Sequence, residues 1–118
     1  MHALIIEQDI WVIVMIEDVL RSLGYTSFDT AASVEAATLC AELRCPDLVT
    51  SDLRLDTGTG VEAIRHICTA TAIPAVFITS TPWEIESGQN VAIVAKPFGA
   101  ASLAKGVAEA TQARPLLS

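Results

Sequence analysis

Basic residues are scarce in this chain. Seven Lys and Arg stand against fourteen Asp and Glu, a formal charge of −7 over 118 residues. The few cations are scattered, so no basic stripe can neutralise nucleic-acid phosphates or anionic lipid, and neither nucleic acid nor membrane is an expected partner. Long hydrophobic runs are missing too. The longest, Ile10 to Ile16, falls far short of the ~20 residues that span a bilayer. The N-terminus also lacks the basic region and small-residue cleavage site of a signal peptide, so a cytoplasmic location is expected. Cysteine is limited to Cys40, Cys45 and Cys68, an odd set without a C-x-x-C pair. Neither a disulfide framework nor a zinc site is indicated, and packing residues in a reducing compartment fit better. His2 and His66 stand apart from other metal-ligating residue types and read as surface or edge residues. No repeat, low-complexity tract or linker divides the sequence, which reads as one domain over 1–118 with a loose tail at 112–118 and no output domain.

What is abundant is apolar side chain: 52% of residues are hydrophobic and only 18% charged, a balance that argues for a folded chain. Ala3-Leu4-Ile5-Ile6, Leu48-Val49, Ala75-Val76-Phe77-Ile78 and Val91-Ala92-Ile93-Val94 are short continuous apolar runs without alternation, as expected of parallel strands covered on both faces. Between them lie helical periodicities: Asp9 to Leu23, capped by Gly24; Ser33 to Arg44, ended before Pro46; and Gly60 to Ala70, ended before Pro74. A last helix runs from Ala100 to Gln112, and Tyr25 to Asp29 supplies a weaker second strand. Alternating strands and helices imply a doubly wound α/β domain with a parallel sheet.

In such sheets chemistry gathers beyond the carboxyl ends of the strands. Here those ends carry Glu7-Gln8-Asp9, Asp52, Thr79-Ser80 and Lys96-Pro97. Carboxylates, a hydroxyl and one ammonium therefore converge on one rim. Any one of them alone would be an ordinary strand-end polar residue or cap, and Lys96 with Asp52 could be a buried ion pair without turnover. A carboxylate can, however, attack a phosphohistidine when the charge of the transferring group is stabilised, and magnesium takes hard oxygen ligands.

With the acidic cluster after the first strand, Pro46-Asp47-Leu48-Val49-Thr50-Ser51-Asp52-Leu53, Gly60 eight residues on, Thr79-Ser80 and Lys96-Pro97-Phe98, the chain resembles the receiver domains of two-component response regulators over nearly its whole length. The resemblance implies a five-stranded, flavodoxin-like parallel sheet of order 2-1-3-4-5. It also implies that Asp52 is the phosphoryl acceptor, that Thr79 contacts the phosphoryl oxygens, and that Lys96 neutralises them across a cis Lys96-Pro97 bond. Glu7, Asp52 and the Arg54 backbone carbonyl would hold magnesium. Such a protein is not an enzyme in the ordinary sense, although it can catalyse its own phosphotransfer and dephosphorylation. Its partners would be a histidine kinase or histidine phosphotransfer protein.

Three departures matter. Gln8 stands where the family places a metal-binding acid, which predicts weak magnesium binding with Gln8 or Asp9 filling the position. Ile93 replaces the aromatic residue whose rotation reports phosphorylation. Thr79 to Lys96 is too short for a full fourth helix, so Pro82 to Asn90 is expected to be a loop or a single helical turn. These features resemble an atypical stand-alone subgroup found with sensor kinases in proteobacteria. In the first helix Val12, Met15, Ile16, Val19, Leu20 and Leu23 complete a core stripe, leaving Ile10, Trp11, Ile13 and Val14 either partly covered by loops or free for a partner helix or a homodimer. The leading reading is a single-domain phosphoacceptor. The alternative is a phosphorylation-independent pseudo-receiver that binds proteins, and a flavin-binding protein is disfavoured because no Ser/Thr/Gly-rich phosphate loop follows the first strand.

Overall fold

A computed structural model describes residues 1–55, 58–67, 72–88 and 90–112. The element order is β1 (His2–Ile6), α1 (Ile10–Ser22), β2 (Ser27–Ala31), α2 (Val34–Leu43), β3 (Leu48–Ser51), the two-residue strands β4 (Arg54–Leu55) and β5 (Gly58–Thr59), and α3 (Gly60–Ile67). It continues with β6 (Ala75–Thr79), a 3-10 turn at Pro82–Glu84, β7 (Val91–Ala95) and α4 (Ala100–Gln112). Five strands form one parallel sheet in the order β2-β1-β3-β6-β7, while β4 and β5 make a separate antiparallel ribbon. Counted within the main sheet, this is the expected order 2-1-3-4-5.

The unbroken apolar runs become β1, β3 and β6, in which every residue is buried. Strand side chains alternate between faces, and each face here has its own core. Ala3 and Ile5 pack with Val76, Ile78 and Val94 under Ile16 and Leu20 of α1 and Leu103 and Val107 of α4. Leu4 and Ile6 pack with Val49 and Phe77 under Ala37 of α2 and Ala63 and Ile64 of α3. Helices thus cover both faces, the doubly wound arrangement expected from the alternation of elements. Among the described residues no helix is long and apolar enough to cross a membrane.

Several details differ from the sequence reading. Strand β2 begins at Ser27 rather than Tyr25, because the Tyr25 N–H donates to the Leu20 carbonyl at 3.0 Å and the residue closes the end of α1 before the chain reaches the sheet. Gly24, at φ +102°, makes that reversal, a conformation that a side chain disfavours. His2 is a buried residue rather than a surface one. Its ring lies 2.8 Å from Ser27 Oγ and 3.0 Å from Asp29 Oδ2, tying β1 to its neighbour β2. On α1 the stripe is rotated: Ile13 packs on the core with Val12 and Val19, whereas Met15 and Leu23 face outward. Cys40 and Cys45 are free thiols, and burial, with the nearby Asp29 adding, pushes the Cys40 thiol above its ordinary range. Cys68, the end of the expected third helix at Ala70 and the tail from 113 lie outside the described residues.

Candidate functional site

Backbone pairing brings the strand ends together. The Asp52 N–H donates to the Ile6 carbonyl at 3.0 Å, which sets Asp52 beside the end of β1. The Lys96 N–H donates to the Thr79 carbonyl at 2.8 Å, which sets the lysine beside the end of β6. The Lys96-Pro97 bond is cis, as the resemblance implied. From there the ammonium reaches across the rim, 3.4 Å from Asp52 Oδ2 and 3.6 Å from Glu7 Oε1. Glu7, Asp52 and Lys96, which come from three different strand ends, therefore form one cluster.

Within it the two carboxylates are held differently. Glu7 is buried, and its Oε2 accepts the backbone N–H groups of Gln8 at 3.2 Å and Asp9 at 3.1 Å. Its Oε1 is also buried and accepts no hydrogen bond, leaving only the ammonium at 3.6 Å. Unpaired oxygens in such surroundings are costly. Asp52 and Lys96 each keep a quarter of their side-chain surface open to solvent, so a small anion can reach them. Gln8 and Asp9 are exposed, and Asp9 Oδ1 accepts the Trp11 N–H at 2.9 Å as the N-cap of α1.

Thr79, at the end of β6, is buried beside this cluster. Its Oγ1 accepts the Thr81 N–H at 3.0 Å and lies 3.2 Å from Thr81 Oγ1. Arg54 points its guanidinium outward to Glu84, at 2.6 Å from Oε1, and Glu84 also accepts the Thr81 hydroxyl at 3.1 Å. Thr81 and Glu84 were not singled out from the sequence, although both fall in the short connection that drew attention there. Among its described residues that connection holds one 3-10 turn, Pro82–Glu84, in line with the expected loop or single helical turn.

Gly60 closes the loop that carries Asp52. Its N–H donates to the Leu53 carbonyl at 2.7 Å, and any Cβ built there would collide with the Asp52 carbonyl oxygen and Ser51 Oγ. Gly60→Ala is therefore expected to shift the Asp52 backbone and cost about 1–3 kcal/mol in denaturant unfolding, the range for forcing an atom into filled space. Unfolding indistinguishable from wild type would show that the loop yields freely.

The residues fit a hard divalent cation. A buried carboxylate oxygen without a partner and a second carboxylate on the neighbouring strand, both within reach of Lys96, are donor types that magnesium takes. The set is sparse, however: among the described residues no three of His, Cys, Asp and Glu gather closely enough to hold a metal by themselves.

A doubly wound sheet whose carboxyl rim joins an aspartate, a glutamate and a lysine, with a threonine alongside, defines the receiver class of α/β domains. The chain belongs to the response regulator receiver domain family, whose match covers residues 3–108. Members are signalling regulators of two-component systems rather than ordinary enzymes. The phyllosphere-induced regulator PhyR of Methylorubrum extorquens is 27% identical over 112 residues, which cover 91% of this chain and 42% of that protein. This chain thus spans less than half the length of that relative. The solution structure of the PhyR receiver domain of Erythrobacter litoralis superposes with a TM-score of 0.84 at 29% identity, covering 94% of this chain and 89% of that one. The receiver domain of the Pseudomonas aeruginosa sensor histidine kinase PA1611, solved with magnesium in its active-site cleft, gives 0.74 at 28% identity, covering 91% and 93%.

Proposed function

We propose that this receiver accepts a phosphoryl group on Asp52 from a histidine kinase or histidine phosphotransfer protein in the cytoplasm and passes the signal on by protein contact. The observation that carries the reading is the position of the Lys96 ammonium, 3.4 Å from Asp52, the carboxylate of the cluster that is solvent-accessible and, among the described residues, takes no backbone donor. An Asp52 oxygen attacks phosphorus, the P–N bond to the donor histidine breaks, and the electron pair returns to the imidazole as the acyl phosphate forms. Lys96 meets the negative charge that develops on the phosphoryl oxygens, and Thr79 can donate one hydrogen bond to them. Magnesium, held by Glu7, Asp52 and the Arg54 carbonyl, would share the same charge when bound. With Gln8 a neutral amide and Asp9 occupied in capping α1, its binding should be weak.

The test is the appearance of one phosphate by mass after treatment with phosphoramidate or a phosphorylated donor protein, confined to a peptide containing Asp52. A chain that never gains the phosphate would instead be the pseudo-receiver, a reading favoured by the sparse ligand set.

A surface for the donor adjoins the site. Trp11 is 76% and Ile10 62% exposed, with Val14 and Met15 beside them on α1. Met15 also lines an apolar recess with Val12, Pro97 and Phe98 that reaches Lys96. Trp11→Glu is expected to slow phosphotransfer from the donor protein by about tenfold or more, as loss of a well-packed aromatic anchor does, with little change in thermal unfolding. Ile13→Glu, on the core side of the same helix, should lower the unfolding midpoint clearly. Unimpaired transfer to Trp11→Glu would remove α1 from the docking surface.

A further inference from the structure

Among the described residues two buried side-chain oxygens have no hydrogen-bond partner, Glu7 Oε1 and Thr50 Oγ1. Thr50, in β3, is fully buried and pairs across the sheet with Ile5 of β1 and Val76 of β6. Ile5, Leu48 and Val76 all belong to the core beneath α1 and α4, so alternation along the strands puts Thr50 and Glu7 on that same face. The hydroxyl therefore lies in the apolar layer directly beneath the rim that carries Glu7, Asp52 and Lys96. Valine would fill the same space without a polar atom, and an orphaned buried hydroxyl costs stability. The two orphans are also complementary. A hydroxyl has a proton to give, whereas an ionised carboxylate oxygen only accepts.

We propose that Thr50 is a positioning residue that offers the Glu7 carboxylate a second seat, one layer below the rim, and that this seat competes with the cation. The proposal rests on the reading of Glu7 as a magnesium ligand. In the structure Glu7 takes the upper seat, with Oε2 on the Gln8 and Asp9 N–H groups and Oε1 3.6 Å from the Lys96 ammonium. Those two N–H contacts, at 3.2 and 3.1 Å, fall at the long end of the hydrogen-bond range, so little is lost when the carboxylate leaves them. Because Ile5 stands opposite Thr50, Glu7, two residues on, is its diagonal neighbour. Strand spacing and rise put the two Cβ atoms about 8 Å apart, a gap that the length of a glutamate side chain closes with one hydrogen bond of about 2.8 Å. Rotation about the Glu7 side-chain bonds thus brings the carboxylate to the Thr50 hydroxyl and gives the orphaned proton an acceptor. A cation needs the upper seat, where Glu7 shares the rim with Asp52. The apparent magnesium affinity is then the intrinsic affinity multiplied by the fraction of molecules in which Glu7 is up.

Thr50→Val removes the lower seat and keeps the shape of the side chain. In calorimetric titration it should bind magnesium at least about threefold more tightly than wild type, whereas Thr50→Ser, which keeps the hydroxyl, should bind as wild type does. Loss of a threonine that merely packs the core would not tighten binding. Metal-free unfolding supplies the second readout. In a Glu7→Met background, with no carboxylate to meet, Thr50→Val should raise the unfolding midpoint because it removes an orphaned hydroxyl. In the wild-type background the gain should be clearly smaller, because the same change also takes away the carboxylate's donor. Magnesium affinity unchanged or weakened in Thr50→Val, equal tightening in Thr50→Ser, or the same midpoint shift in both backgrounds would each overturn the proposal. A wild type that binds no magnesium would overturn the reading of Glu7 as a ligand instead, and the metal-free comparison would still decide whether Thr50 and Glu7 pair.

Discussion

Asp52→Asn is expected to abolish phosphate uptake from both a donor protein and phosphoramidate while leaving the fold in place. The amide has nearly the volume of the carboxylate, but its oxygen is a poor nucleophile and its nitrogen cannot form a stable bond to phosphorus under the same conditions. The structure argues that stability will hardly move. Asp52 and Lys96 are partly open to solvent, and a pair of that kind contributes no more than about 1 kcal/mol. When Asp52 is neutral, the ammonium still has Glu7 at 3.6 Å, so no charge is left stranded. Intact-mass spectrometry after exposure to phosphoramidate, with a thermal unfolding scan on the same samples, checks both halves. Labelling of Asp52→Asn at the wild-type rate would place the acceptor elsewhere, whereas a collapsed unfolding midpoint would show that Asp52 supports the fold directly.

The parts of this molecule that could be read from sequence are those where one physical demand dominates. Strands buried on both faces must be continuously apolar, so β1, β3 and β6 stood out; β7 stood out by its apolar run as well, although it is an edge strand that buries only Ala92 and Val94 rather than being covered on both faces as expected. Strand β2 lies at the sheet edge with only Ala31 fully buried, and its weak pattern left its start two residues out. The phase of α1 was harder because Ile10 to Ile16 is apolar throughout. Periodicity cannot tell which side of such a run faces the core, and the choice between Ile13 and Met15 was settled by packing under β1 and against α4. At the site, Glu7, Asp52, Thr79 and Lys96 were legible because topology forces strand ends onto one rim. Thr81, whose hydroxyl meets Thr79 and Glu84 two and three residues away, was passed over although its contacts are local. The pairing of Glu84 with the outward-turned Arg54 side chain was not legible: it joins β4 to the 3-10 turn across thirty residues of chain, and no local spacing encodes a contact of that kind. His2 was misread for the same reason, since its partners Ser27 and Asp29 stand on another strand.

The second large effect concerns the cation. Glu7→Gln should weaken magnesium binding by more than about tenfold, because it removes charge at a buried carboxylate oxygen that has no hydrogen-bond donor among the described residues. Gln8→Asp should act in the opposite direction. A carboxylate attracts a divalent ion by several kcal/mol at an effective dielectric near ~20. Most of that is offset by stripping water from an ion that dehydrates reluctantly. A net gain of about 1–2 kcal/mol, or roughly tenfold tighter binding, is the expected result. Asp9 decides how much of the missing charge is already replaced. Its Oδ1 holds the Trp11 N–H at 2.9 Å at the start of α1, and asparagine caps helices equally well. Asp9→Asn should therefore preserve the helix and change magnesium affinity by no more than about threefold, as the loss of one screened surface charge does. Calorimetric titration of the three variants against wild type separates the possibilities. A loss in Asp9→Asn as large as that in Glu7→Gln would show that Asp9 leaves its cap to ligate the ion. Should Gln8→Asp bind no more tightly than wild type, the residue after Glu7 does not face the cation at all, and Glu7, Asp52 and the Arg54 carbonyl would be the chain's whole contribution to the site.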